Sequence, residues 1–118
     1  MNLAEAIKSG FNNYVTFSGR ASRSAYWFWV LFVFIAAVVA SVIDKALFGG
    51  FDLLYVAVLL ATFLPGLSVL VRRLHDTNRS GWWYWILLIP VAGWIALIVF
   101  LCLKGTPGDN RFGPDPLA

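Results

Sequence analysis

Apolar residues along this chain gather into three long runs that polar segments separate. No charged residue interrupts residues 25–43, 53–71 or 82–103. At about 1.5 Å per helical residue, runs of this length approach or exceed the roughly 30 Å hydrocarbon thickness of a bilayer. The pattern therefore predicts an all-α integral membrane protein whose single membrane domain contains three transmembrane helices. Pro65 removes the hydrogen bond to the Ala61 carbonyl and predicts a kink in the second helix.

The third run admits two interpretations, because Pro90 and Gly93 lie near its middle. It forms either one kinked helix across the bilayer or a re-entrant hairpin of two halves, neither of which is long enough to cross alone. The tip of such a hairpin would leave backbone groups unpaired in hydrocarbon unless protein surrounded them. We therefore adopt a single kinked helix over 82–103 and keep the hairpin as the alternative.

The two ends of the chain differ in their predicted structure. Residues 2–16 place apolar and polar side chains on opposite arcs at a helical spacing of about 100° per residue, which predicts an amphipathic helix. We adopt an interfacial helix that lies in the lipid headgroup region and keep packing against the other helices as the alternative. Residues 104–118 are rich in proline and glycine, which predicts an extended tail. The apolar arc consists of Leu3, Ala4, Ile7, Phe11, Tyr14 and Val15.

Composition supports a membrane protein and excludes several other classes. Hydrophobic residues make up 60% of the chain and charged residues 13%, whereas a soluble domain averages about 45–50% and about 25%. The net charge of +3 comes from basic residues beside apolar runs, which favours anionic lipid over nucleic acid as a partner. One cysteine, Cys102, and one histidine cannot form an intrachain disulfide or a zinc site. We expect no metal and no cofactor.

The distribution of Lys and Arg predicts the orientation of the chain. Six of the nine lie in the N-terminal segment or in the polar loop after the second run, and three lie in the first loop or the tail. Because cytoplasmic loops carry the excess of basic residues, the N-terminus is expected in the cytoplasm. With three spans, the C-terminus is then expected outside. The hairpin alternative would return the tail to the cytoplasm.

Two arginine-rich clusters, at residues 19–23 and 72–76, are separated by two spans and so share one side of the membrane. Arg20, Arg23 and Arg79 lie near the start of a predicted helix, where unpaired N–H groups favour anions. Arg72 and Arg73 oppose the negative end of the second helix dipole and are expected to contact headgroups. The clusters therefore predict a site for a lipid phosphate. Simple anchoring on the cytoplasmic side is the alternative for every one of these arginines.

His75 and Asp76 invite a catalytic interpretation, because a carboxylate can orient an imidazole. Adjacent residues rarely make that contact well, and the sequence offers neither a second histidine nor a nucleophile beside a base. Asp76 more simply begins a turn with the residues that follow it. No ionisable residue lies inside the three runs, although proton relays and ion pathways normally need one. We therefore expect a protein that is not an enzyme.

Three segments carry a family resemblance. They read FSGRASRSAYW at residues 17–27, RRLHDTNRSGW at 72–82 and GTPGDNRFGPDP at 105–116. They resemble a bacterial inner-membrane family known only as domain of unknown function 805, and the likeness covers nearly the whole chain. The resemblance implies a small multi-pass protein of the bacterial inner membrane, but no biochemical activity. Its motif positions here are Gly19, Arg20, Arg23, Arg72, Arg73, His75, Asp76, Ser80, Gly81, Asn110, Arg111, Gly113 and Pro114.

The leading functional hypothesis is a non-enzymatic membrane protein. It binds anionic lipid or a partner protein through its cytoplasmic arginine-rich face, to which we add Arg79. The alternative is a subunit of a small transport or channel assembly, and homo-oligomers fit either hypothesis. A third hypothesis is an enzyme that acts on lipid headgroups through His75 and Asp76.

Overall fold

The computed structural model describes residues 2–49 and 51–117, and its regular structure is helical. The two long helices are α2, Arg23–Leu47, and α3, Leu53–Asp76. Across the described ranges, strand geometry is limited to one isolated bridge in the tail. The shorter helices are α1, Leu3–Asn12, a 3₁₀ helix, Gly81–Leu88, and α4, Ala92–Cys102.

Helices α2 and α3 are long and apolar enough to cross a membrane. They have 25 and 24 residues, with mean hydropathies of 2.4 and 2.3. Each contains one predicted run but extends beyond it, α2 past Asp44 to Leu47 and α3 to Asp76. The first uncharged run predicts a helix that ends at Asp44, and this is wrong, because the Asp44 carboxylate is fully buried and accepts hydrogen bonds from Leu54 N (3.0 Å) and Tyr55 N (2.9 Å) at the start of α3. The sequence also predicts a turn at Gly49–Gly50, of which Gly50 lies outside the described residues.

The third apolar run is not one helix, and the single-span prediction is wrong. The run is divided between the 3₁₀ helix and α4, which a turn at residues 89–91 joins. The run begins just after α3 ends, and its other end returns to the C-terminal end of α3. Hydrogen bonds from Arg73, near the end of α3, to the carbonyls of Leu101 and Leu103 show this return. The described residues thus contain two helices of spanning length rather than three, and the run takes the hairpin form that we kept as the alternative.

The hairpin turn is a γ-turn centred on Val91. Its φ is +62° and its ψ −64°, and Ala92 N donates to Pro90 O at 2.7 Å. Pro90 contributes no N–H group that would need a partner. At Gly93 any Cβ would overlap the backbone oxygen of Ile86, so glycine allows the two halves to meet.

The hairpin tip also satisfies much of its own backbone. Gly93 N donates to Ile89 O at 3.0 Å, and Ile95 N donates to Val91 O at 2.9 Å. The indole Nε1 of Trp94 donates to Leu87 O at 3.0 Å. Unpaired backbone groups were the objection to a hairpin in hydrocarbon. The objection fails here because the turn and one tryptophan supply partners.

Val91 is a β-branched residue in a left-handed conformation, so we expect Val91→Gly to stabilise the protein. The gain should be roughly 1 kcal/mol, the lower end of the cost of such a conformation. Thermal unfolding in detergent, followed by tryptophan fluorescence, measures it. The control is Val99→Gly in regular α4, which should destabilise by about 0.5–1 kcal/mol. Equal destabilisation by both variants would contradict the strained turn.

Helix α1 packs against α2 and α3. It is shorter than the predicted 2–16, ending at Asn12 before a turn. Gly10 lies so close to the Trp29 ring that no Cβ would fit, and the Phe11 ring meets Trp29 edge-on at 5.2 Å. After the turn, Tyr14 Oη donates at 2.9 Å to Ala61 O, the carbonyl that Pro65 leaves without its helical partner. Helix α1 therefore packs as the alternative had it, while Phe11, Tyr14 and Val15 of the apolar arc are exposed. The interfacial position stays a prediction.

The tail folds back over the end of the bundle where α2 begins and α3 ends. Thr106 N donates to Asp76 O at 2.7 Å, and Asn110 Nδ2 donates to His75 O at 2.9 Å. The prediction that the tail lies across the membrane from Arg20 is therefore wrong, because the hairpin brings the chain back. We call this end, formed by residues 18–24, 72–80 and 104–117, the polar end.

Candidate functional site

Asp76, the last residue of α3, is the centre of the polar end. Its buried carboxylate accepts from Arg20 Nε at Oδ1 (3.0 Å) and from Arg73 Nη1 at Oδ2 (2.5 Å). Arg20 Nη2 also lies 3.0 Å from Oδ1. A buried carboxylate needs such compensation, because removing the charge from water is costly. The pairing joins the segment before α2 to the end of α3.

Arg73 connects three elements from a fully buried position. Its side chain is 0% exposed. Besides Asp76, it donates from Nε to Leu101 O (3.1 Å), from Nη2 to Leu103 O, and from Nη1 to Ala21 O (3.5 Å). Carbonyls at a helix C-terminus lack N–H partners within the helix, and Arg73 donates the missing hydrogen bonds at the end of α4. The expectation that Arg73 contacts headgroups is therefore wrong, because its donors are used inside the protein.

Arg20 fixes the tail. Its side chain is 1% exposed, and it donates from Nη1 to Gly108 O (2.6 Å) and Gly113 O (3.3 Å) and from Nη2 to Thr106 O (2.5 Å). Gly105 abuts the Asp76 carboxylate so closely that a Cβ would overlap it. Like Arg73, Arg20 therefore offers no free donor edge to a headgroup.

The tail carboxylate Asp115 binds backbone groups of the tail rather than an arginine. It accepts hydrogen bonds from the backbone N–H groups of Leu117 (2.9 Å) and Gly108 (3.0 Å). These bonds lower the pKa of this exposed carboxyl below its ordinary value, the bond from Leu117 contributing most. Asp115 therefore shapes the tail.

His75 is held away from the Asp76 carboxylate. Its Nδ1 lies 2.9 Å from Gly19 O, a carbonyl that can only accept, so Nδ1 carries the proton. Its ring stacks on Phe112, with centroids 4.0 Å apart and planes 1° from parallel. Asp76 is engaged by two arginines instead. The two side chains thus do not form the catalytic pair that their adjacency invites.

Arg72 differs from its neighbours. The residue is 7% exposed, and its Nε and Nη2 have no hydrogen-bond partner among the described residues. Taking a cation out of water costs several kcal/mol, whereas the helix C-terminal dipole returns only about 0.3–1 kcal/mol. Among the buried side chains of the polar end, three arginines, Arg20, Arg72 and Arg73, outnumber the one carboxylate, Asp76, so the polar end holds excess positive charge.

The remaining predicted residues lie around this centre. Arg23 is exposed, and its Nη1 reaches Cys102 O at 3.5 Å. Arg79 lies 4.2 Å over the Phe100 ring, and Arg111 donates to Asn78 O at 3.2 Å. Ser80 caps the 3₁₀ helix by accepting from Trp82 N at 3.3 Å. The residues brought together around Asp76 and His75 are Gly19, Arg20, Arg73, Asn110 and Gly113.

A groove between α3 and the 3₁₀ helix was not predicted from the sequence. Its volume is about 640 Å³, and its lining is largely apolar and aromatic. Along α3 it runs from His75 to Phe63, a distance of about 18 Å at helical rise. We call it the aromatic groove. It is lined by Phe17, Phe63, Leu67, Val71, His75, Ser80, Gly81, Trp82, Tyr84 and Trp85.

Comparison with known proteins gives one consistent class. The family described as "Protein of unknown function (DUF805)" matches residues 14–114. Inner membrane protein YhaH of Escherichia coli K12 is 49% identical over 108 residues, covering 88% of this chain and 89% of YhaH. Inner membrane protein YhaI of the same strain is 48% identical over 110 residues, covering 92% of each chain. No solved structure matches, and these relatives indicate no enzyme family.

Proposed function

Because the chain belongs to the DUF805 family, and its relatives YhaH and YhaI are named inner membrane proteins, we propose that it is a non-enzymatic inner-membrane protein that binds an anionic lipid at its polar end. The observation that carries the proposal is the aromatic groove beside an excess of positive charge.

The dimensions of the aromatic groove suit one lipid chain. Its length of about 18 Å is close to half of the roughly 30 Å hydrocarbon thickness, which is the depth of one leaflet. It has an apolar wall from Phe63 to Val71, with His75 and Ser80 near the polar end. Its volume falls within the roughly 300–1,000 Å³ of small-molecule sites. A lipid tail fills such a groove while its headgroup stays at the polar end.

Charge selects the headgroup and the side of the membrane. With the tail at the polar end, Lys45 in the last turn of α2 is the one Lys or Arg near the opposite end of the long helices. The other eight lie no later than Arg23, the first residue of α2, or after Val71. The positive-inside rule then favours a cytoplasmic polar end and both chain ends in the cytoplasm. The cytoplasmic leaflet carries anionic lipid, which juxtamembrane basic residues attract.

The residues that would serve an enzyme are engaged elsewhere. Asp76 binds Arg20 and Arg73, while His75 is held by Gly19 O and Phe112. A general base must reach the proton that it removes. These contacts support a binding role for the site rather than headgroup chemistry.

Filling the aromatic groove tests the proposal. We expect Leu67→Trp to displace lipid that co-purifies with the wild type after gentle extraction, as measured by native mass spectrometry. Leu60→Trp is the control, because Leu60 is 71% exposed on the same helix and outside the groove. Equal lipid retention by both folded variants would contradict the proposal. Ion flux in liposomes that does not depend on bound lipid would favour the transport-subunit hypothesis instead.

A further inference from the structure

Arg72 has a donor edge that the fold leaves unused. Its residue exposure is 7%, and both Nε and Nη2 are buried without a partner in the described part of the chain. Arg73, the next residue, uses all three of its nitrogens. An arginine whose donors are buried and unpaired is unusual, because buried polar groups are normally hydrogen-bonded.

The position of Arg72 is set by the segment that joins α1 to α2. Its own carbonyl accepts from Ala21 N at 3.0 Å. One helical turn earlier, Ser68 Oγ donates to Asn13 O (2.9 Å) and Thr16 O (2.5 Å), so this face of α3 is turned toward residues 13–21. A ligand of Arg72 would therefore lie between α3 and this segment.

The two unused nitrogens define the ligand chemistry. Nε and Nη2 share one edge of the planar guanidinium, and their parallel N–H groups match two oxygens of a single oxyanion. We infer that the Nε–Nη2 edge of Arg72 binds one phosphate group, either the phosphate of a lipid headgroup or free phosphate. The inference rests on the proposed function, because anionic lipid at the polar end makes a phosphate the available oxyanion.

The charge balance of the cluster supports an anion at this place. Asp76 is shared by Arg20 and Arg73, and its two oxygens are both engaged. A negative group bound to Arg72 would compensate the Arg72 charge, which forms no ion pair with Asp76. An uncompensated buried cation is costly, so an anion bound to Arg72 would stabilise the fold.

Thermal unfolding of the full chain in a phosphate-free detergent tests the inference. Inorganic phosphate should raise the melting temperature relative to chloride at the same ionic strength. Arg72→Lys keeps the charge but loses the two parallel N–H donors of the Nε–Nη2 edge, so the affinity of the variant for phosphate should fall about tenfold or more. Lys45→Arg is the control, since Lys45 is exposed in the last turn of α2, away from the polar end, and it should respond like the wild type.

Two lipid arms distinguish the source of the phosphate. The protein is reconstituted in vesicles that contain either phosphatidylglycerol or oleate, which is anionic but has no phosphate. Stabilisation by phosphatidylglycerol alone, lost in Arg72→Lys, would assign a lipid headgroup. Stabilisation by inorganic phosphate as well would assign any accessible phosphate. Equal responses of Arg72→Lys and the wild type in both arms would overturn the inference.

A measurement on the wild type covers the case in which Arg72→Lys does not fold. The ¹⁵N resonances of the arginine Nε groups should include one that shifts on addition of phosphate or phosphatidylglycerol. Arginine Nε resonances that all stay unchanged would overturn the inference. The lipid-retention test of the aromatic groove is independent of this one. If Leu67→Trp loses lipid but Arg72→Lys still responds to phosphate, the Arg72 site is refuted and the proposed function is not. If Leu67→Trp keeps lipid but Arg72→Lys loses its response to phosphate, the proposed function is refuted and the phosphate site remains.

Discussion

Asp76→Ala is expected to yield little folded protein. The substitution leaves Arg20 and Arg73 buried with no carboxylate, and breaking a buried ion pair typically costs about 3–5 kcal/mol. Soluble domains have a total stability of about 5–15 kcal/mol, so a loss of this size is severe. Asp76→Asn keeps the shape of the side chain but removes its charge, and it should lie between the alanine variant and the wild type.

The measurement is the melting temperature and the yield of monodisperse protein in detergent. Asp52→Ala is the control, because Asp52 is exposed before α3 and its side chain makes no capping hydrogen bond. Surface changes of that kind usually stay within about 0.5 kcal/mol. Equal effects of the two alanine variants would show that the carboxylate does not hold the polar end together.

Limited proteolysis separates local release of the tail from unfolding of the whole protein. Arg20 makes three hydrogen bonds to tail carbonyls, whereas Arg73 connects α3 to α4. In a folded Asp76→Asn protein, protease should therefore remove the tail faster than it cuts the helices. Tail cleavage at the wild-type rate would mean that the tail is held without the ion pair.

The two long helices followed from the sequence because an uncharged run of about 20 residues has few other stable conformations in lipid. Their ends did not follow. Asp44 looked like a boundary, yet it lies inside α2 because it caps α3. A hydropathy pattern does not reveal a charged residue that caps the N-terminus of another helix, since the partners of Asp44 are backbone groups ten and eleven residues away.

The hairpin was not selected from the sequence for a similar reason. The backbone of its tip is satisfied by the indole of Trp94 and by a γ-turn at Val91, a residue type that rarely adopts positive φ. Backbone propensities disfavour such a turn at a β-branched residue, so the sequence did not predict it. Pro90 and Gly93 marked the right place, but they are equally compatible with a kink.

The sequence predicted which residues gather at the polar end better than it predicted what their side chains bind. Arg20, Arg73 and Asp76 do gather at one end of the bundle, as the spacing of the clusters predicted. Their partners include the carbonyls of Leu101, Leu103 and the tail, and no side-chain pattern identifies those. Arginines that looked like headgroup ligands therefore proved to be internal connectors, and Arg72 stood out only once burial was known.

The tail should be cytoplasmic, and the test gives an all-or-none result. A single-span third run would place Leu117 and Arg20 on opposite sides, but Arg20 binds the carbonyls of Thr106 and Gly108 directly. In a Cys102→Ser background, Leu117→Cys should therefore resist a membrane-impermeant maleimide in intact spheroplasts and react after lysis. Phe48→Cys, at the other end of α2, should react in both, because Phe48 is exposed in the connection to α3. Labelling of both Leu117→Cys and Phe48→Cys from outside would require the tail to leave Arg20, and it would refute the hairpin and the polar end built upon it. Labelling of Leu117→Cys without Phe48→Cys would refute the cytoplasmic orientation instead.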